Sequence, residues 1–296
     1  MNDAWTVVQC DACGGAVAYD PNHALVRCLF CAAVALRPVP VDAPPEPPNA
    51  VVTFAIDAAA AQAVFGRWVR GSWWRPKALR TAAASLQAVW IPTWRISAEV
   101  ELHWAALVAA PTRSGKRPRT GVDSGRAEVL VPASGGIGQG EMSALRPFPA
   151  THRPWQPDDH AVPSELPSVS EAGALAIGHD LLLGERLRVV SRERSLSDAG
   201  GTAQLHDVGT SLDALPLWIG SFRYRDRPWR VVINGHSGKV VGAAPLDRVK
   251  IAIVTAVVLA IALLLARCER DAPPGASTQQ AVLKTLRAFQ QPVRRE

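Results

Sequence analysis

Four of the five cysteines stand in two pairs, "CDAC" at Cys10 and Cys13 and "CLFC" at Cys28 and Cys31, with fourteen residues between the pairs. Cysteine binds a metal as the thiolate, and two C-x-x-C turns brought face to face supply four thiolates to one tetrahedral ion, with Zn–S near about 2.3 Å. This spacing is a zinc-ribbon pattern. Gly14, directly after Cys13, suits a turn whose backbone N–H groups fold toward the sulfurs. Ala32 holds the same place in the second turn, where a left-handed residue with a Cβ costs roughly 1–2 kcal/mol. Metal binding in a small site supplies on the order of 10 kcal/mol, so that cost is tolerable. We therefore expect structural zinc on Cys10, Cys13, Cys28 and Cys31. Iron in the same four-thiolate set, or two disulfides in an oxidising compartment, are the alternatives.

Other strings look chemical and fail on detail. A phosphate loop needs G-x-x-x-x-G-K-[ST], because backbone amides cradle the phosphates and the hydroxyl binds Mg²⁺. "APTRSGKR" has Ala110 for the first glycine and Arg117 for the hydroxyl. "GGIGQG" from Gly135 lacks the dinucleotide-site spacing, and both strings read as loops. "THRPWQPDDH" gathers His152, Asp158, Asp159 and His160, but among prolines and without periodicity, so it too reads as a loop. No serine, cysteine or lysine stands in a recognisable nucleophile setting, and the expectation is a protein that is not an enzyme.

"GRWVRGSWWRPKALR" is different. No acidic residue occurs from Ala58 to Ala98, while Arg67, Arg70, Arg75 and Lys77 interleave with Trp68, Trp73 and Trp74. Tryptophan beside basic side chains suits a membrane interface, where each Lys or Arg near anionic lipid contributes about 1 kcal/mol. The same pairing suits base stacking with phosphate contact, and it also suits tryptophans in a core with solvated arginines. We take Arg67, Trp68, Arg70, Trp73, Trp74, Arg75 and Lys77 as the membrane-surface candidates.

The elements that must carry these groups are set out along 296 residues with a formal net charge of +6. From Ile251 to Ala266 sixteen residues carry no charge, and ten of them are Leu, Ile or Val. That run is about 24 Å of helix against a hydrocarbon core of about 30 Å. Lys250 and Arg267 bracket it, and their long stems lift the charges to the headgroups. A single transmembrane helix over 246–267 is expected. The N-terminus "MNDAWTVVQC" has neither a basic nor an apolar leader region, and thiolates need a reducing compartment. The N-terminal domains are therefore expected in the cytoplasm, at the inner membrane, with the tail 268–296 outside. A re-entrant hairpin is the alternative. The tail carries "STQQAVLKTLRAFQQP", whose Ser277–Gln280 capping box and apolar Val282, Leu283, Leu286 and Phe289 predict a short amphipathic helix.

Residues 1–37 form the ribbon, and the Pro-rich stretch 38–49 reads as a semi-rigid spacer holding it away from the next domain. Residues 50–245 read as an α+β domain with a largely antiparallel sheet. Its elements include a strand at "VVTFAI", a helix from Asp57 to about Arg70, a shorter helix from Pro76, and helical residues from Ser170 to Arg194. The β-like stretch through "VWIPTW" is expected to break at Pro92, and a hairpin to turn about Asn234-Gly235. "IPTWRI" at Ile91 and "LPLWIG" at Leu215 are alike, by duplication or by coincidence.

"FGRWVRGSWWRPKALR", "VWIPTW", "LPLWIGSFRYRDRPWRVVINGHSGKVVG" and the apolar run that follows resemble the bacterial zinc-ribbon membrane proteins, over about residues 1–37, 51–110 and 200–267. Members are often labelled primosomal-helicase-like or as carrying a transcription-factor-B-type ribbon. Their genes often lie beside those of phage-shock-protein-A-like and flotillin-like envelope stress proteins. The resemblance implies architecture and setting, not a reaction; some relatives carry a second ribbon, and this chain has one. Asp3, Asp11 and Asp20 outweigh Arg27 and Arg37 in the ribbon, and a four-thiolate zinc site brings its charge to about −3. Phosphate binding needs a basic surface, so this head suits a protein partner. The expected function is a non-enzymatic, membrane-anchored cytoplasmic adaptor or scaffold touching membrane lipid, with the ribbon as its docking head. A membrane-bound nucleic-acid-binding protein is the alternative.

Overall fold

The computed structural model describes residues 6–12, 15–19, 28, 30, 33–39, 47–111, 115–225 and 227–270. In chain order the strands and helices are β1 (Thr6–Cys10), β2 (Ala16–Tyr19), β3 (Leu36–Val39), β4 (Ala50–Val51), α1 (Ala58–Arg70), β5 (Ser85–Ala109), β6 (Lys116–Pro132), α2 (Gln139–Leu145), β7 (Arg153–Pro154), β8 (Ser164–Glu165), α3 (Glu171–Glu193), β9 (Ser197–Tyr224), β10 (Arg227–Asn234), β11 (Val240–Gly242) and α4 (Arg248–Arg270). The fold is mixed α+β, as expected, and its sheet is antiparallel except where β4 meets β9 and β8 meets β5. The strands form one compact unit; Trp74–Pro76 and α4 belong to a second.

Two long strands organise the sheet. β5 runs 25 residues and β9 runs 28, paired antiparallel with Ile91 opposite Leu215. Around that pair Val89 to Thr93 are all buried; from Ile96 to Ala106 the even-numbered residues are buried and the odd ones are not. The change has a simple cause: α3 packs on the even face, with Ala174, Leu182 and Val190 among Ile96, Val100, Leu102 and Trp104. The expected break at Pro92 does not occur. At Pro92 the outer neighbour of β5 changes from β8, paired at Trp90, to β6, paired from Thr93, so the missing N–H falls at a change of partner. Pro216 stands at the matching place on β9, between β4 at Ala214 and β10 at Leu217.

That match extends to the neighbouring elements of each half. A local two-fold through the Ile91–Leu215 pair relates β4–α1–β5–β6 to β8–α3–β9–β10. Val51 faces Ala214 in parallel as Ser164 faces Trp90. The Trp218 Nε1–H donates to Ile56 O at 3.2 Å and the Trp94 Nε1–H to Val169 O at 2.8 Å. Each acceptor immediately precedes a helix N-cap, Asp57 or Ser170, and each cap side chain accepts from the amide three residues on. Ala133 N–H donates to Pro92 O at 2.9 Å and Gly235 N–H to Pro216 O at 2.8 Å. Ser168 N–H then donates to Ala133 O at 2.8 Å, and Ala55 N–H to Gly235 O at 2.9 Å. "IPTW" and "LPLW" thus stand at equivalent places of a repeated structural arrangement.

Several boundaries differ from the sequence expectation. Of "VVTFAI" only Val51 lies in a strand, the two-residue β4, and the helix after Pro76 is a 3-10 turn over Lys77–Thr81. The Asn234-Gly235 hairpin is wider than a two-residue turn. Asn234 N–H donates to Lys239 O at 2.8 Å, and Gly238, not Gly235, has positive φ. Gly235 is required for space, since a Cβ there would lie 2.6 Å from the Phe54 ring. Asn234 is fully buried and saturated. Its Nδ2 donates to Leu145 O and Pro147 O, both at 3.0 Å, and its Oδ1 accepts from His236 and Ser237 N–H at 2.8 and 2.9 Å. Asn234→Ala strands four groups and is expected to cost at least about 2 kcal/mol. A thermal melt of the detergent-solubilised chain measures it, and an unchanged midpoint contradicts it.

The segment expected to form the ribbon is, in its described residues, not held away from the domain. β1 pairs with β2 and β3, and β2 joins the main sheet by pairing with β8, Val17 opposite Glu165 and Ala18 opposite Ser164. The physical reason is apolar burial: Val17, Cys10, Cys28 and Phe30 share one cluster with Ile137, Met142 and Leu145 of the domain. Of the expected spacer, 40–46 lie outside the described residues.

Candidate functional site

Cys10 ends β1 and is fully buried, and Cys28 is nearly so. The two turns are closed alike. Cys10 N–H donates to Gly15 O at 3.0 Å and Cys28 N–H to Ala33 O at 2.8 Å, each five residues on. Phe30 N–H donates to Cys28 Sγ at 3.4 Å, the kind of amide contact that stabilises a thiolate. Cys13 and Cys31, with Gly14 and Ala32, lie outside the described residues, among which no group of three or more metal-ligating side chains is found. What is described is the first cysteine of each pair in a like turn, with one sulfur accepting an amide.

The Trp/Arg stretch divides. On α1, Phe65 and Val69 are buried, and Trp68 turns inward with them, its ring centroid 6.1 Å from that of Phe65 and 6.3 Å from that of Phe222. Trp68 is therefore core, while Arg67, Arg70 and Lys77 are exposed. Trp73 is 61% exposed and Trp74 40%.

Trp74 and Arg75 meet the first turn of α4. Asp247 N–H donates to Trp74 O at 2.7 Å, and Lys250 Nζ donates to Arg75 O at 2.9 Å. Asp247 caps that helix, its Oδ1 accepting from Val249 N–H at 3.1 Å and Lys250 N–H at 3.4 Å. α4 has 23 residues, about 34 Å at ~1.5 Å per residue, and none of Arg248–Leu265 is buried. It is long and apolar enough to cross a membrane, and Trp74 is fastened at the level where that crossing begins. Cys268 lies on its last turn, and the tail helix expected after Ser277 falls outside the described residues.

The remaining sequence candidates have internal roles. Ala110 and Gly115 close the β5–β6 hairpin, Ala110 N–H donating to Gly115 O at 3.0 Å, so "APTRSGKR" precedes a strand and not a helix. In "THRPWQPDDH", both carboxylate oxygens of Asp159 accept from Arg153, at 2.5 and 2.7 Å, and one also from Gln156 N–H at 2.9 Å. His152 meets Ala150 O at 2.8 Å and Asp158 is exposed, so the acids and histidines are not brought together; the side chain of His160 is outside the description.

Sequence reasoning missed Glu165. It is 2% exposed, its Oε1 accepts from Gly136 N–H at 3.0 Å, and Ser134 Oγ–H donates to its Oε2. The "SGGIGQG" loop thus does cradle a carboxyl group, one supplied by its own chain. Burial, opposed by Ser134, the loop amides and Arg230, leaves this carboxyl raised to about 7. No local signal marks a glutamate 29 residues from the loop that binds it. Compared with protein-family models, with curated proteins and with solved structures, the chain matches none.

Proposed function

We propose that this protein is a non-enzymatic, single-pass membrane adaptor whose N-terminal domains lie in the cytoplasm, with a zinc-bearing ribbon as its protein-docking head. The observation that carries this reading is the unburied apolar helix α4, fastened at its first turn to a loop with two neighbouring exposed tryptophans. A tryptophan at that level lies among lipid headgroups, and exposed Arg67, Arg70 and Lys77 suit anionic lipid. The negative ribbon favours a protein over a nucleic acid. Asp159 and Glu165, both engaged by their own chain, are consistent with a scaffold. The resemblance to zinc-ribbon membrane proteins supports a setting in envelope stress or membrane maintenance.

The test uses the full chain in anionic nanodiscs containing brominated lipid. Tryptophan fluorescence should be quenched, and the Trp73→Phe, Trp74→Ala double variant should lose a clear part of that quenching. Unchanged quenching removes the interfacial loop. The same particles should not retain single-stranded or duplex DNA at physiological salt. Retention that disappears on changing Arg67, Arg70 and Lys77 to Gln replaces the adaptor with a membrane-bound nucleic-acid-binding protein. In intact cells Cys268 should react with an impermeant thiol reagent, and reaction only after permeabilisation would favour the re-entrant hairpin.

A further inference from the structure

Three strands run on past the packed centre of the sheet: β6 from Lys116, β5 to Ala109 and β9 from Ser197, with β5 in the middle. The two outer edges of this arm differ. That of β6 carries Pro118 among Lys116, Arg117 and Arg119, with Arg126 further on, all exposed. Proline and basic side chains are what keeps a sheet edge from pairing with another chain. The edge of β9 has no such guard. From Ala199 to Leu205 it reads "AGGTAQL", without proline or charge, and among the described residues no strand pairs with it on its outer side.

Two bulges mark this stretch off. The register against β5 shifts between Ser97 and Glu99 and again between Ala105 and Leu107. Near those shifts on β9, Asp207 and Asp198 have positive φ, 49° and 50°. The shifts also decide which backbone groups face outward. C-terminal to Asp207, Leu212 and Ala214 turn their carbonyls away from β5, to the N–H groups of Asn49 and Val52, so even-numbered residues face out there. A shift of one residue exchanges the two sets. Between the bulges the N–H and C=O of Ala199, Gly201, Ala203 and Leu205 therefore face out. Their side chains lie on the side of α3, with Ala203 and Leu205 packed on the cluster of Leu182 and Ala199 on that of Val190. Gly200, Thr202, Gln204 and His206 bond toward β5 and are exposed on the opposite face.

We propose that this edge of β9 pairs antiparallel with the same edge of a second copy of the chain, across a two-fold at Thr202. An antiparallel partner must set outward-facing residues against outward-facing residues. The register centred on Thr202 engages all four of them, Gly201 with Ala203 and Ala199 with Leu205, each pair occurring twice. On the exposed face it sets Thr202 against Thr202 of the second copy, a favourable cross-strand pair, and Gly200 against Gln204. A Cβ on Gly200 would meet nothing within 4 Å, so the longer glutamine has room. At the ends Asp198 comes opposite His206 and Asp207 opposite Ser197, so no acid faces an acid. The edge thus meets itself without like charges, which the edge of β6 could not do. Such a two-fold is normal to the sheet, so both α3 helices cover one face and the two open faces become continuous. Seven residues a side is little against the roughly 20–30 of a stable interface. The dimer is accordingly weak in solution, and two anchors in one bilayer strengthen it by raising the effective concentration. The membrane reading of α4 enters only there.

The experiment cross-links the full chain in membranes of the expressing cells, with Cys268→Ser as the parent that sets the background. Thr202→Cys stands at a non-hydrogen-bonded pair, where Cβ atoms lie about 4.5–5.5 Å apart, and should give a reducible dimer under a mild thiol oxidant. Thr120→Cys, equally exposed but on β6, should stay at background. Gly200→Cys and Gln204→Cys should each cross-link poorly alone and well when co-expressed. Ala203→Pro removes one outward N–H and none that bonds to β5, so it should abolish the Thr202→Cys dimer while the thermal midpoint holds. Thr202→Cys no better than Thr120→Cys overturns the proposal. So does a Gly200→Cys and Gln204→Cys mixture no better than either alone, or a Thr202→Cys dimer that survives Ala203→Pro. A reducible adduct of Thr202→Cys with a different protein overturns it too, and gives the edge to another chain.

Discussion

Asp213→Ala should destabilise the folded chain by about 3–5 kcal/mol, the largest loss expected from one side chain in the sheet. Asp213 is fully buried on β9 beside the two-fold, and Arg95 on β5, 8% exposed, donates to it at 2.6 Å. Ser211 donates to its other oxygen at 2.7 Å. Arg95 also meets Glu128 at 2.6 Å and Pro149 O at 3.4 Å, but Glu128 is 39% exposed and screened by water. Removing the aspartate leaves a guanidinium in the sheet without its buried counter-charge, and that desolvation is the source of the loss. Asp213→Asn keeps an acceptor and should lose less; Arg95→Met with Asp213→Leu should recover much of the stability. Denaturant midpoints of the detergent-solubilised variants decide it. A cost below about 1 kcal/mol for Asp213→Ala would mean that water reaches Arg95.

Removing the metal should have the second large effect, confined to the ribbon. Elemental analysis of the full chain is expected to give close to one zinc per molecule, lost when Cys10 and Cys28 become Ser. Since metal binding supplies on the order of 10 kcal/mol to such a site, β1, β2 and β3 should lose hydrogen-exchange protection while α1, β5 and β9 keep theirs. A variant lacking both cysteines that retains zinc refutes the assignment, and so does a metal-free ribbon that stays protected. Iron in place of zinc would change the element and leave the rest of the prediction standing.

What could be read in advance was whatever is written locally. α1 begins at the expected Asp57, whose side chain caps it, and α4 follows directly from an uninterrupted apolar run. Trp68, taken from the sequence as a membrane-surface candidate, belongs instead to the core, and its spacing already hinted at it: it lies three residues after Phe65 and seven after Ala61, on the face that those residues bury. What was not legible depends on partners distant in sequence. Pro92 reads as a strand break until β6 and β8 are known to exchange places beside it. Asp213 and Arg95 are 118 residues apart, so neither announces the other. Glu165 reads as an ordinary surface acid between prolines, and what buries it, the loop 134–137 and strand β2, is distant in sequence. The proline stretch suggested distance between ribbon and domain because composition reports stiffness and says nothing about where the chain is heading.

The two-fold through Ile91 and Leu215 also bears on how this chain depends on its own abundance. Two like units that bury their longest strands against each other have the form of a symmetric homodimer, in which residue i meets j and j meets i. In a true dimer that seam dissolves on dilution, because stability then includes the concentration of protomers. Joined in one polypeptide, the second unit is present at a fixed effective concentration, set by the connecting segment and not by expression level. A protein with a single membrane anchor can therefore be sparse in its bilayer and still keep its central sheet intact.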